Sequence, residues 1–376
     1  MILPIDDPEI KSGRIPSSSN AFKNPICATP RAPPAPSASP SFLFIISLLR
    51  SYIFSMIRIR KIAAFAVLLL FPFLLLASPK DYATACAEGI ALWSKSVLPA
   101  LFPFMVTASL LSKTGAAKIS DRLSPLMRSC KLPAAASLCI FLSILSGYPV
   151  GSRCLLDMKN AGLISEKDTT RASLVCSTSS PMFLLGSVGV GMFSDLTAGF
   201  ILLAAHLGGV FLVYAFSIPF SKPAQPCIAL PVSLQKSDNV FAESVQSAVI
   251  SILCVGGFIA YFCVIAKALE NTNLMEIPVF LFSALFSLFH QSHAAVGFVH
   301  GLLECTRGCA ELAAYGGLFA LPCAAFCITL GGASILAQQF AFLKPAGVKI
   351  KHFIAIKLLQ ALLSFCLCLL FQAIFL

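Results

Sequence analysis

The chain has 376 residues, of which 57% are hydrophobic and 11% charged, and its formal net charge is +11 at pH 7. So few charges cannot clothe a soluble globule of this length, and composition alone makes the chain a polytopic, all-α membrane protein. The basic excess does not indicate nucleic acid, because Lys and Arg sit between apolar runs and form no continuous face.

Residues 1–55 form a leader of a different character. Residues 11–41 are rich in Pro, Ser and Ala, with Pro33, Pro34 and Pro36 close together, and carry no period that would bury a face, so they read as disordered. Residues 42–57 are apolar but interrupted by Arg50 and short for a span. They read either as a signal or anchor, or as sequence upstream of the true start. In the second reading translation begins at Met56, where Met-Ile-Arg-Ile-Arg-Lys precedes an apolar run as in a complete membrane-protein beginning. Residues 1–61 hold 8 basic and 3 acidic residues, the remainder 19 and 13.

Nine windows then lack Asp, Glu, Lys and Arg: 62–79, 96–112, 132–152, 172–194, 196–221, 244–266, 277–303, 312–343 and 358–376. Each is at or near the roughly 20 residues that cross a bilayer core. Those that carry breaks read either as spans or as re-entrant pairs of half-helices. Arg58, Arg60 and Lys61 before the first window, and Lys113, Lys118, Arg122, Arg128 and Lys131 after the second, predict cytoplasmic segments by the positive-inside bias. Lys344, Lys349, Lys351 and Lys357 mark another before the last helix.

Two stretches share one punctuation, and this carries most of the functional information. The first has Leu101-Phe102-Pro103-Phe104, then Ser146-Gly147-Tyr148-Pro149, then Ser179-Ser180-Pro181; the second has Gly256-Gly257-Phe258, then Leu303-Glu304-Cys305-Thr306, then Gly331-Gly332-Ala333-Ser334. The expected organisation is an N-terminal helix and external connection over 56–92, a first repeat over 93–220, a polar linker over 221–243 and a second repeat over 244–376. A helix broken at membrane depth survives only against protein or a wet cavity, so matched breaks in two related, inverted repeats point to a transporter-like substrate site. The candidate substrate-binding residues are Ser146, Gly147, Tyr148, Pro149, Arg153, Thr178, Ser179, Ser180, Glu304, Thr306, Gly331, Gly332, Ser334 and Gln338. Glu304 reads either as a proton or substrate contact, alongside His300, or as a capping carboxylate paired with Arg307. Arg153 reads as a counter-charge for substrate or as a loop residue reaching the surface.

Other motifs carry less. Most of the fifteen cysteines lie inside apolar windows, as with Cys139, Cys254, Cys263, Cys323, Cys327, Cys366 and Cys368, where they act as small hydrophobes, and no Cys-x-x-Cys occurs. His290 and His293 mark a bend or the aqueous end of 277–303, or a metal site with His300 and Glu304; the expectation is no metal and no cofactor. The Gly186–Gly191 run and the Gly297/Gly301 pair read as close helix packing. No Walker sequence, zinc-protease motif or nucleophile elbow is present, so the chain is not read as an enzyme.

The segments Trp93 to Met105 and Ser146-Gly147-Tyr148-Pro149-Val150-Gly151 resemble the YlbJ-type sporulation integral membrane proteins, which contain the nucleoside-recognition or Gate domain. The resemblance continues through Asn160–Ile164, Ser179–Phe183, Gly256–Ile259, Leu302–Glu304 and Gly331–Ser334 with Gln338, covering about residues 56–370. Cys176-Ser177-Thr178 replaces an Asn-rich stretch of the family, and Arg307 stands where a smaller polar residue is usual. The resemblance implies a fold like that of concentrative nucleoside transporters. It also implies a bacterial cell membrane or forespore-related membrane, a role in sporulation, and movement of a small anionic metabolite such as dipicolinate. The partners expected are lipid, a small-molecule substrate, a coupling proton or sodium ion, and a second copy in a homo-oligomer. A non-transporting envelope scaffold and a nucleoside transporter stand as alternatives; a polar cavity between the halves would separate transport from the scaffold.

Overall fold

The computed structural model describes residues 65, 69–224 and 239–376, with the backbone alone over 115–121. The expected leader, the start at Met56 and most of the 221–243 linker lie outside those residues. Helix α1 (Pro79–Leu92) passes through a π-turn at Trp93–Val97 into α2 (Leu98–Ser129). Wide turns of this kind arise where the regular backbone ladder is disturbed; here Pro99 and Pro103 lack the amide donors that the ladder needs. The carbonyl of Ser96 in that turn accepts a hydrogen bond from Ser187. Trp93 also explains Gly256, since a Cβ there would lie 2.7 Å from the indole ring.

Two interrupted helices follow. Helices α3 (Ala136–Ser146) and α4 (Val150–Asn160) are separated by Gly147-Tyr148-Pro149. Helix α5 (Glu166–Ser173) starts at Ser165, whose hydroxyl accepts the Asp168 amide, and leads through an irregular stretch to a π-helical segment, Phe183–Val190. Helix α6 (Leu196–Ser217), capped by Asp195, completes this part.

Beyond the linker, α7 (Val240–Asn271) is followed by α8 (Glu276–Ser287), α9 (Ala294–Leu303) and α10 (Cys305–Tyr315). Helices α11 (Ala320–Leu330) and α12 (Gly332–Leu343) meet at Gly331, and α13 (Ile350–Phe375) ends the chain. The charge-free window 277–303 is therefore two helices and not one. Its bend includes His290, at φ 57°, and His293, at the α9 N-cap, as the bend reading expected.

Every regular element among the described residues is helical. Five stretches are long and apolar enough to cross a membrane: Pro79–Thr114, Leu196–Ser217, Val240–Asn271, Ala320–Leu343 and Ile350–Phe375. Phe216, Leu253, Phe280, Leu362 and Ile374 project outward from the helices, a surface suited to acyl chains and costly in water. Inside residues 69–376, α13 packs on α6 and α11, α1 lies along α7, and α2 contacts α7 and α3. One large core cluster joins α2, α6, α7 and α9 to α11, and the broken segments are held against it.

Candidate functional site

Each break has its own local cause. Gly147 takes φ 75°, its amide closes α3 on the Ser143 carbonyl at 2.8 Å, and Pro149 two residues on has no amide with which to continue the ladder. A side chain at 147 would be 2.7 Å from the Ser180 nitrogen, so this break lies directly on the next one. Residues 177–180 have no regular structure, and side chains take over their backbone groups. His206 Nε2 accepts the Ser179 amide at 2.9 Å, Ser143 and Thr178 hydroxyls meet at 2.9 Å, and the Ser177 carbonyl accepts from Lys357 Nζ at 2.9 Å. Glu304 breaks α9 from α10 with an extended backbone, and its carboxylate accepts the amides of Thr306 at 3.2 Å and Arg307 at 2.6 Å. Gly331, at φ 94°, breaks α11 from α12, and a Cβ on Gly332 would meet the Gly301 carbonyl at 2.8 Å.

These breaks converge. A cavity of about 40 Å³ is lined by Gly147, Tyr148, Ser179, Ser180, Glu304, Thr306 and Gln338 on its polar side, with Val97, Leu101, Phe183, Val255, Ile259 and Ile335 completing the wall. The starts of α4, the Phe183–Val190 segment and α10 all border it, bringing the partial positive charge of three helix N-termini to one place, with the Phe183 amide held by Ser180 Oγ at 3.2 Å and the α10 amides by Glu304. The Nε2 atom of Gln338 is buried with no hydrogen-bond partner among the described residues, and so is Ser334 Oγ one turn before it. An unmet buried donor costs about 1–3 kcal/mol, which a bound polar molecule would recover.

Seven of the fourteen residues expected from the sequence thus share this cavity. The others surround it or lie elsewhere. Ser146 donates to the Phe104 carbonyl at 3.2 Å, Pro149 stands at the α4 N-cap, Thr178 pairs with Ser143, and Gly331 and Gly332 shape the α11–α12 turn. Arg153 faces a second cavity of about 260 Å³ together with Lys113, Asp157, Ser109, Ser112, Ser247 and Ser251. That space begins about one turn beyond the first along α2 and α7, from Leu101 to Met105 and from Val255 to Ser251.

Two assignments change. Arg307 does not take the Glu304 carboxylate with its side chain; its guanidinium bonds Glu311 at 2.8 Å and Glu270 at 2.8 Å, while only its backbone amide reaches Glu304. His300 joins the same cluster, within 3.2 Å of Glu270 and in contact with Glu311, and Lys267 lies 3.3 Å from Glu270. Lys357 does not belong to a basic loop. It is inside α13 and 0% exposed, with Nζ 3.4 Å from the Tyr148 hydroxyl and 5.5 Å from the centre of its ring. The Tyr148 hydroxyl in turn donates to the Ile328 and Thr329 carbonyls at 3.2 and 3.4 Å, and Ser177 donates to Gln339. Lys357, Gln360 and Ser364 are all fully buried on α13. Their i, i+3, i+7 spacing on an apolar helix is the signal in the sequence that marks this face as turned toward protein.

Among the described residues no group of three or more His, Cys, Asp or Glu side chains is arranged to hold a metal ion. The glycine runs pack helices closely: a Cβ at Gly189 would be 2.6 Å from the Gly199 Cα, and one at Gly308 would be 2.1 Å from the Gly301 Cα.

No family model and no solved structure matches the chain. Among known proteins it is similar to the sporulation integral membrane protein YlbJ of Bacillus subtilis (strain 168), at 25% identity over 311 residues covering 76% of each chain. With its all-helical body and five membrane-length helices, the chain is a multi-pass membrane protein related to a sporulation integral membrane protein.

Proposed function

We propose that this protein is a membrane transporter of a small anionic metabolite, with its substrate site at the crossing of the four breaks. The observation that carries this reading is the cavity that Gly147, Tyr148, Ser179, Ser180 and Glu304, from three of the breaks, line together with Gln338 of α12, beyond the fourth. In this reading the order of elements is a repeat. The helix α1–α2, the broken pair α3/α4, the broken pair formed by α5 and Phe183–Val190, and helix α6 correspond to α7, α9/α10, α11/α12 and α13, with α8 inserted. Such paired broken helices are how transporters of known mechanism build a midplane site, and the implied likeness to concentrative nucleoside transporters rests on this order.

Chemistry favours an anion over a nucleoside. Helix starts offer partial positive charge, and the polar wall offers the Gln338 amide and the Ser179 and Ser180 hydroxyls. Glu304 is the carboxylate on the cavity wall, and both of its oxygens are engaged by α10 amides. Beside a second carboxylate such a group becomes attractive once a proton is shared between them, so Glu304 would carry the coupling proton with the substrate. About 40 Å³ admits one or two waters, and a metabolite enters when the broken segments part. The smallness of the cavity is also what a scaffold reading would rest on.

The resemblance to sporulation integral membrane proteins suggests dipicolinate as cargo, and uptake by the purified protein in proteoliposomes tests it. Dipicolinate should accumulate above the level of protein-free vesicles, faster with an inward proton gradient, and uridine should not. Equal uptake with and without protein, for dipicolinate, other small carboxylates and uridine, would remove transport and leave the scaffold.

A further inference from the structure

We propose that Lys357 is a specificity-determining residue of this cavity, the basic group that selects an anionic substrate by pairing with its charge and is tied to the site through Tyr148. The inference rests on the transport reading and adds the source of its charge preference. Lys357 is wholly buried seven residues into α13, and no carboxylate among the described residues pairs with it. Its hydrogen-bond partners are the Ser177 carbonyl and the Tyr148 hydroxyl, both neutral. A buried charge without a counter-charge is strongly unfavourable, so such a group marks a place where an opposite charge comes and goes.

The cavity is where that charge would sit. Tyr148 spans the distance: its residue borders the cavity next to Gly147, while its ring and hydroxyl face the Lys357 ammonium. Neighbouring groups do not duplicate the role. His206 Nε2 accepts the Ser179 amide, so that nitrogen carries no proton in this arrangement and the imidazole adds no charge. Arg153 and Lys113 belong to the second cavity, and Lys113 is paired with Glu243 at 2.8 Å.

A merely structural Lys357 would tie Ser177 to Tyr148 and affect every solute alike; a selecting cation discriminates by charge. Dipicolinate, picolinate and picolinamide share a ring and differ in carrying two, one and no negative charges. Proteoliposome uptake should give Lys357→Met a KM for dipicolinate raised by roughly tenfold or more, the scale of one unit charge at close range in a medium of intermediate dielectric. The rise should be smaller for picolinate and absent for picolinamide. If Lys357→Met is not monodisperse in detergent, Lys357→Gln, which still donates to the Ser177 carbonyl, is read the same way. Wild-type uptake with variants that change all three solutes equally, or none, overturns the inference alone. Wild-type vesicles that take up none of the three overturn the transport reading and the inference with it.

Discussion

The break at Gly147–Pro149 and the break at Glu304 face the same cavity and solve the same problem by different means. At the first, geometry does the work: a glycine at φ 75°, a proline without an amide and a close approach to the Ser180 backbone make the break without a carboxylate. At the second, a carboxylate replaces the missing carbonyls and caps α10. A geometric break has one arrangement, whereas a carboxylate cap can exchange its partners for a proton or a ligand. The difference assigns shape to the first break and chemistry to the second.

Substituting the geometric break should have the largest effect on stability. Gly147→Ala places a Cβ 2.7 Å from the Ser180 nitrogen at a backbone angle that L-residues avoid, and strain with overpacking should cost about 2–5 kcal/mol. Thermal unfolding in detergent should show a large fall in Tm or loss of folded protein; an unchanged Tm would mean that the break is not rigid.

The charged break has a support that can be removed separately. Arg307 fixes the first turn of α10 to α7 through Glu270 and, within α10, bonds Glu311. Arg307→Met leaves Glu311 with His300 alone and Glu270 with His300 and the part-exposed Lys267, and should cost about 1–3 kcal/mol by the same measurement. The smallest effect is expected at the rim of the cluster. Lys267 is about one-third exposed, so Lys267→Met should change stability by no more than about 0.5 kcal/mol. A Lys267 effect matching that of Arg307 would show that net charge, and not the guanidinium fork, holds α10 in place.

The comparison also shows what a sequence discloses. The breaks were legible because Gly, Pro and Ser clusters stand out inside windows free of charge, and local backbone rules act on them directly. Half of the expected site residues share the cavity for that reason. Contacts between distant segments were not legible. Nothing local pairs Arg307 with Glu270, 37 positions away, or Ser177 with Gln339, 162 positions away, and the nearest acid to Arg307 in the break was Glu304. Lys357 was misplaced because the adjacent Lys344, Lys349 and Lys351 made it look like part of a basic segment. Its burial follows from helix phase, which puts it on the face of Gln360 and Ser364. The turn at His290 was legible for the same reason as the breaks, because His290-Gln291-Ser292-His293 interrupts the otherwise apolar window 277–303.

The central claim, that a carboxylate-capped break forms the working part of a transport site, is tested most directly by dipicolinate uptake in proteoliposomes bearing Glu304→Gln at matched protein content. Gln keeps the size and one acceptor oxygen, so the loss of capping should cost only about 1 kcal/mol of stability. It cannot carry a coupling proton. Uptake should fall at least roughly tenfold, the equivalent of one charge-assisted contact in the cavity, with Tm lowered by only a few degrees. Near-normal uptake by a stably folded Gln variant would contradict the claim and leave recognition to the glycine and serine breaks.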